Sequence, residues 1–319
     1  MNEMYLNQLD RRRSRTGCLA IAALVLVLVA IAVAVTIQRR GRDAVPGDEE
    51  ALPAMATQPA APAAPASTTR SATRPATPAT PATPASDQGA RLMEQARAAV
   101  GENRLVEARD LAWRVLDESQ NAAARAAAEE LLGEVHTTLV FSRHPMPEKV
   151  DYRVRSGDTL AVLARRNGTT VDLLRKSNGI TGDVIRIDQH LRILNATFSL
   201  KVSKSRNDLV VYMNDRFFKR YRVGTGEFAT TPEGTFVIDE RIPRPVWWTD
   251  GRQIPYGHED NLLGTHYLKL DVPGYGIHGT WEPESIGYQS SAGCVRLLNE
   301  DIEELYTLLP VGVEVVIEE

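Results

Sequence analysis

Cysteine is nearly missing from this chain: there are two in 319 residues, Cys18 and Cys294. That scarcity excludes a disulfide-stapled scaffold. No CxxC pair and no HExxH segment occurs, so neither common zinc signature is present. Basic excess is also lacking: 37 Lys and Arg stand against 41 Asp and Glu, a net charge of −4, which argues against a nucleic-acid surface. Aromatic residues make up only 6%. Alanine and proline crowd the N-terminal part, so the packed core is expected toward the C-terminus.

One long apolar run is present, from Gly17 to Gln38. Roughly 20 apolar residues cross a bilayer core, whereas the apolar region of a cleaved signal peptide has only about 7–15. The run is therefore read as an uncleaved single-pass anchor at 17–38, with 1–16 cytoplasmic. Arg11, Arg12, Arg13 and Arg15 before it nearly balance Arg39, Arg40 and Arg42 after it, so charge orients it only weakly. Cys18 begins the run rather than following it, unlike a lipoprotein cleavage site. Cys18 and Cys294 are then poor candidates for a disulfide, and an exported Cys294 would be an unpaired thiol with a reason to be kept.

Residues 39–87 read as a linker. "ATRPATPATPATPAS" has proline every third residue and little apolar surface to bury. At ~3.1 Å per residue where polyproline-like, it would reach on the order of 100 Å. Residues 88–145 read as helical: Leu92, Ala96, Ala99 and Val100 keep helical spacing, as do Leu105, Ala108, Leu111, Ala112 and Val115, and Ala122 to Leu139 suit a third helix. The order resembles a short tetratricopeptide-type hairpin. A spacer packed on its neighbours is the leading reading, and a surface for a protein partner the second.

Residues 150–196 give strand, two short helices and strand, with the second strand expected over Val184 to Leu194. Tyr152, Val154, Gly157, Asp158, Thr159, Leu160, Leu163, Ala164, Leu173, Leu174, Asn178, Ile185 and Leu191 carry a resemblance to LysM domains. It weakens at "IDQHLRIL", where the family has glycine before the glutamine and proline near the end. The resemblance implies binding to N-acetylglucosamine-containing glycan, here peptidoglycan, by Asp158, Thr159, Leu160, Asn178 and Ile180.

From Phe198 the period changes to two. "LVVYMNDRFFKRYRVGTG" reads as a hairpin turning at Asn214-Asp215, and "NEDIEELYTLLP" as a helix capped by Asn299. "GYGIHGT" and "SSAGCVR" place His278 and Cys294 in this region. A thiol attacks only as thiolate, and an imidazole can take its proton. The amides of Gly293 and Cys294 could form an oxyanion hole. On a strand, Arg296 would share a face with Cys294 and lower its pKa or hold a carboxylate.

The string "IHGT…IG…S-x-G-C-V-R-L", with "TPEGTFVI" and "LLGTHYLKL", resembles the L,D-transpeptidase (YkuD-type) catalytic domain over 198–319. The resemblance implies a β-rich sandwich with a packed helix. Cys294 is then nucleophile and His278 base, and Gly279, Ser291, Gly293 and Arg296 line the site, with no metal and no cofactor. It further implies attack on a tetrapeptide stem, release of D-alanine and transfer of the thioester to an amine. Where the family has histidine between serine and glycine, this chain has Ala292; His258 and His266 are the candidates to replace it. Trp247 and Trp248, with Pro243 and Pro245, suit a substrate-covering loop, though ordinary packing explains them equally well.

The expected whole is a multidomain chain in the inner membrane, with its catalytic domain in the periplasm or cell-wall space. Two other classes remain. One is a non-catalytic peptidoglycan-binding scaffold with a degenerate enzyme domain, and the other a zinc hydrolase using His258, His266, His278 and Cys294.

Overall fold

The structure is a computed structural model that describes residues 85–249 and 251–319. The expected cytoplasmic segment, membrane anchor and most of the linker lie outside the described residues. Among those described, no helix is long and apolar enough to cross a membrane.

Three helices come first: α1 (Ala85–Gly101), α2 (Leu105–Glu118) and α3 (Ala122–Phe141). Helix α1 thus begins inside the expected linker. Asn121 starts α3 by accepting hydrogen bonds from the amides of Ala123 and Ala124, at 2.9 and 3.1 Å. The small residues Ala96, Ala99, Ala108, Ala112 and Ala128 are fully buried, which lets the helix axes approach closely.

The LysM-like unit follows. Strand β1 (Lys149–Arg153) pairs antiparallel with β2 (His190–Leu194), with α4 (Leu160–Arg166) and α5 (Val171–Asn178) between them. Val154, Leu160, Leu163, Ala164, Leu174, Leu191 and Ile193 form its small core. The expected strand from Val184 is shorter than its apolar residues suggested. Asp188 adopts a positive φ of 68°, and a turn closed by Gln189 N to Arg186 O at 3.0 Å precedes the strand. Val184 and Ile187 are exposed in consequence.

The C-terminal part is mainly β. Its longer strands are β3 (Phe198–Ser203), β4 (Asp208–Met213), β5 (Arg216–Arg222), β7 (Gly234–Pro243), β10 (His266–Leu270) and β14 (Glu314–Glu318), joined by the short β11 (Gly276–His278) and β13 (Val295–Arg296). These eight form one sheet in the order β13-β11-β10-β7-β14-β3-β4-β5. The short strands β6 (Thr225–Gly226) and β12 (Gln289–Ser291) pair with each other, as do β8 (Trp247–Thr249) and β9 (Arg252–Ile254). The expected sandwich thus takes the form of one hydrogen-bonded sheet, continuous through the long β7. The first residues of β7 pair with β14 and its last with β10. Asn214 and Asp215 both have positive φ, 49° and 61°, as the tight β4–β5 turn requires.

Helix α6 (Asn299–Leu308) buries Ile302, Leu305 and Leu308 against this sheet. Asn299 does not cap it. Leu298 occupies the cap position, and the Asn299 side chain instead accepts from Thr265 N at 3.0 Å, tying α6 to the loop before β10.

These parts share one core. Helix residues Leu132, Val135 and Leu139 belong to the same apolar cluster as Leu209, Phe218 and Leu305. Trp113 Nε1 donates to Phe217 O at 2.9 Å, and His136 Nδ1 to Phe218 O at 2.9 Å. The His136 ring stacks on Phe218 with centroids 4.8 Å apart. Burial pushes its pKa down to about 4, so it sits neutral in the core. The LysM-like unit docks on the same body. Leu174 faces that unit's own core, while its neighbour Leu173 joins the larger one. Thr170 Oγ1 donates to Thr307 O, and Arg241 bridges Asp172 Oδ2 at 3.1 Å and Tyr306 O.

Phe218 therefore holds helices and sheet together. Phe218→Ala should cost about 3–5 kcal/mol, read by urea denaturation, with helix and sheet signals lost in one transition. A cost under about 1 kcal/mol would contradict the shared core.

Candidate active site

Strand pairing assembles the site. Strand β11 runs parallel to β13, placing His278 opposite Arg296, and antiparallel to β10, placing His278 opposite Tyr267. Cys294 lies at the entry to β13, at the end of a tight turn from Ser291. Ser291 Oγ donates to Cys294 O at 2.7 Å and accepts from Gly293 N at 3.1 Å. Gly293 has φ 137°, and a Cβ there would meet Tyr275 Cε1 at 2.7 Å, so both backbone and space demand glycine.

These contacts revise two expectations. Ser291 is a buried turn-former. The Gly293 amide is committed to Ser291 Oγ, which leaves the Cys294 amide alone of the expected oxyanion pair.

The imidazole is fixed by its neighbour. His278 is 3% exposed, and its Nδ1 lies 2.6 Å from Gly279 O. A carbonyl only accepts, so Nδ1 carries the proton and Nε2 keeps its lone pair. Burial, reinforced by the Arg296 charge and opposed by the Gly279 carbonyl, pushes His278 down to about 4. Gly279 thus acts through its backbone. A Cβ on it would fall 2.2 Å from Asn299 Oδ1, so no larger residue fits.

Cys294 is partly exposed, with Sγ 3.7 Å from Gly274 O. Burial pushes its thiol up, while the Gly276 amide and Arg296 pull it down. Thiol and imidazole are therefore both neutral at rest. Arg296 is buried, its Nη1 3.1 Å from Glu282 Oε2, and its Nε has no partner. Its charge favours the thiolate and disfavours the imidazolium.

Tyr267 joins the site without having been among the candidates read from the sequence. Its ring lies 5.9 Å from that of His278, and burial together with the Cys294 charge raises its hydroxyl pKa. The alternation in "HYLKL" held the signal: Leu268 and Leu270 face the core, so Tyr267 faces the other way.

His266 shares the parity of Leu268 and meets Tyr306 at 4.4 Å, on the α6 face. It replaces nothing at the thiol. His258 lies in the loop after β9, 3.6 Å from Asp260. The four residues of the zinc reading do not converge, and no group of three or more potential metal ligands occurs among the described residues. Ala292 is exposed, at the crest of the turn.

Trp248 is 67% exposed on the β8–β9 hairpin. The loop carrying it is braced by Asn261, whose Nδ2 donates to Pro245 O and Ile254 O, both at 3.0 Å. Tyr256 of that loop lies 6.4 Å from Trp281, three residues past His278. The loop's ring contact toward the strand end after His278 is thus made by Tyr256.

In the LysM-like unit, Leu160 is in the core and Asn178 is turned inward. Asn178 donates to Arg192 O at 2.9 Å and accepts from Arg192 N at 2.7 Å. Both are spent on the fold and offer no side chain to a glycan. Thr159 caps α4 through Val162 N, and Asp158 accepts from Tyr152 Oη and Arg155 N, both at 2.8 Å. Ile180 remains partly exposed.

Removing the Arg296 charge should raise the thiol pKa further. Arg296→Met is expected to slow iodoacetamide alkylation of Cys294 at pH 8 by about three- to tenfold, since one pKa unit is tenfold in thiolate. Arg296→Lys should largely restore the rate. Peptide mass mapping separates Cys294 from Cys18, and equal rates in all three proteins would remove Arg296 from the thiol's electrostatics.

The family model for the L,D-transpeptidase catalytic domain (YkuD) matches residues 197–317, and that for the LysM domain matches 152–194. A Bacillus licheniformis protein named as an L,D-transpeptidase, YkuD, is 36% identical over 119 residues, 37% of this chain and 64% of that protein. A Bacillus subtilis protein named as an L,D-transpeptidase, YqjB, is 35% identical over 122 residues, 36% of this chain and 68% of that protein. The chain thus spans roughly two thirds of the length of these curated relatives. The solved catalytic domain of an E. faecium L,D-transpeptidase shares 21% identity, covering 38% of this chain and 95% of that one, with a TM-score of 0.32. Through residues 197–317 the chain belongs to the L,D-transpeptidase family, and a LysM domain precedes its catalytic domain.

Proposed function

We propose that this protein is a membrane-anchored peptidoglycan L,D-transpeptidase working through a thioester on Cys294. The observation that carries the reading is the buried, neutral His278, with Nδ1–H held on Gly279 O and Nε2 left as a base. Cys294 Sγ attacks the carbonyl of the third residue of a tetrapeptide stem, and the thiol proton passes to His278. The amide C–N bond breaks as the C–S bond forms, and His278 returns the proton to the leaving amine of D-alanine. An amine from a second stem then attacks the thioester. His278 takes its proton, an amide forms and the Cys294 thiol is restored.

The neutral resting pair suits this sequence. Charge separation arises only as the substrate carbonyl accepts the sulfur, where Arg296 and the Cys294 amide favour the anion. Glycan binding by the LysM domain would hold strands near the site, while residues 17–38 anchor the chain and residues 39–84 give it reach.

Ala292 motivates the second reading, a non-catalytic peptidoglycan-binding scaffold. Its exposed position argues against a large effect, because the His278–Gly279 and Ser291–Cys294 hydrogen bonds are made without it.

Incubating the full chain in detergent with a disaccharide-tetrapeptide should give a Cys294 adduct by intact mass, with D-alanine released in equal amount. Cys294→Ala should lose both while keeping its fold by circular dichroism. Turnover retained by that variant, or no adduct on the wild-type thiol, would reject the thioester reading and favour the scaffold.

A further inference from the structure

A cavity of about 320 Å³ lies between the loop after β9 and the chain that leaves β11. Gly257, His258 and Glu259 form one wall and Trp281 the other. That volume is at the lower end of the range for ligand sites, about 300–1,000 Å³, and suits one side chain rather than a disaccharide. Both walls are fixed by the protein's own hydrogen bonds. His258 N donates to Pro255 O at 3.2 Å and Asn261 N to His258 O at 3.0 Å, within the loop that the buried Asn261 braces. Across the cavity, Glu282 N donates to Thr280 Oγ1 at 3.0 Å, closing the turn that carries Trp281. That turn directly follows the strand bearing His278.

The walls carry aromatic surface and negative charge. Trp281 is 49% exposed, and Tyr256, next to Gly257, is 38% exposed. Their rings stand 6.4 Å apart at 51°, an open corner rather than a stack. Elsewhere the chain covers aromatic faces with its own cations: at Trp113, Phe141, Tyr221 and Tyr306 a Lys or Arg lies 4.1–4.8 Å from the ring centroid. Among the described residues no cation lies over Tyr256 or Trp281. Glu259 is exposed, and no Lys or Arg pairs with it or with Asp260 among the described residues. His258 does not supply the missing cation, because its Nδ1 lone pair accepts from Asp260 N at 3.2 Å.

An aromatic ring is negative on its face, indole most strongly, and a free carboxylate has the same sign; their common complement is a cation. The apolar ring surface calls for hydrocarbon behind that charge. We infer that this cavity binds a primary alkylammonium, the side-chain amine of the acceptor. The cation follows from the two rings and Glu259. Its identification as the acceptor amine rests on the proposed transpeptidase reading, in which an amine must come up beside His278. The bound ammonium is not yet a nucleophile and must give up one proton before it attacks. The cavity therefore recruits the acceptor, and the transfer step is unchanged. Such an amine can belong to a second stem or to a lysine of a protein.

The test uses the full chain in detergent, in a Cys294→Ala background, so that binding is read without turnover and failure of the thioester reading leaves it unaffected. Titration calorimetry with Nα-acetyl-L-lysinamide should saturate. Nα-acetyl-L-norleucinamide keeps the hydrocarbon and lacks the ammonium, and should bind about tenfold more weakly. Trp281→Leu should weaken lysinamide binding about three- to tenfold, and Glu259→Gln about two- to fivefold. Glu259 is exposed on a loop, so its variant still reports on binding where Trp281→Leu alters the circular dichroism. A stem tripeptide with a side-chain amine and no sugars separates the two sources. Tighter binding than lysinamide assigns the cavity to a second stem, and equal binding to lysine side chains in general. Absence of saturation, equal affinity for the norleucine compound, or affinities unaltered in both variants would overturn the inference. So would tighter binding of Nα-acetyl-L-argininamide, or displacement of lysinamide by N-acetylglucosamine, which would make this a sugar site.

Discussion

The arrangement of the candidate site depends on one hydrogen bond, from His278 Nδ1–H to the carbonyl of the next residue. In a buried position that bond does two things. It selects the tautomer whose Nε2 can accept a proton, and it orients the ring without a carboxylate partner. With no carboxylate beside it among the described residues, burial outweighs the bond and keeps the imidazole neutral well below its usual pKa. The bond in turn needs Gly279 to lie close to Asn299, and Asn299 to hold the Thr265 amide rather than cap its own helix. A side-chain cap on that helix is thereby given up to place the imidazole.

The thiol is held from the other side. Ser291 closes the turn on both Gly293 N and Cys294 O, so Cys294 sits on a turn tied at both ends by one hydroxyl. Arg296, paired in register with His278 across β13 and β11, biases both partners in the same direction, toward thiolate and toward neutral imidazole. The helices, the sheet and α6 share an apolar cluster, and the LysM domain adds Leu173 to it. A chain that reads as modules on a string is, from residue 85 onward, a body with its modules packed on one another.

Much of this was legible in the sequence for physical reasons. Period-two alternation marked the strands, Asn214-Asp215 marked a turn that requires two positive φ values, and alanine-rich helical spacing marked α1 to α3. A lone thiol near a histidine and an arginine marked the chemistry. What stayed hidden were partners. Leu173 and Leu174 read alike, yet they belong to different cores. Leu160 and Asn178 carry the LysM pattern as fold determinants, one by burial and one by bracing Arg192. The Gly293 amide and the Asn299 side chain each had an obvious local role and were taken by another group. Tyr267 came closest to being readable, because alternation alone put it opposite to the core leucines.

The most direct measurement is nitrogen-15 NMR of the His278 imidazole across pH. The expected result is a neutral ring protonated on Nδ1 from pH 8 to pH 5, with protonation setting in near pH 4. Imidazolium at pH 7, paired with a Cys294 thiolate, or a neutral ring protonated on Nε2, would contradict a site poised as neutral thiol and neutral base.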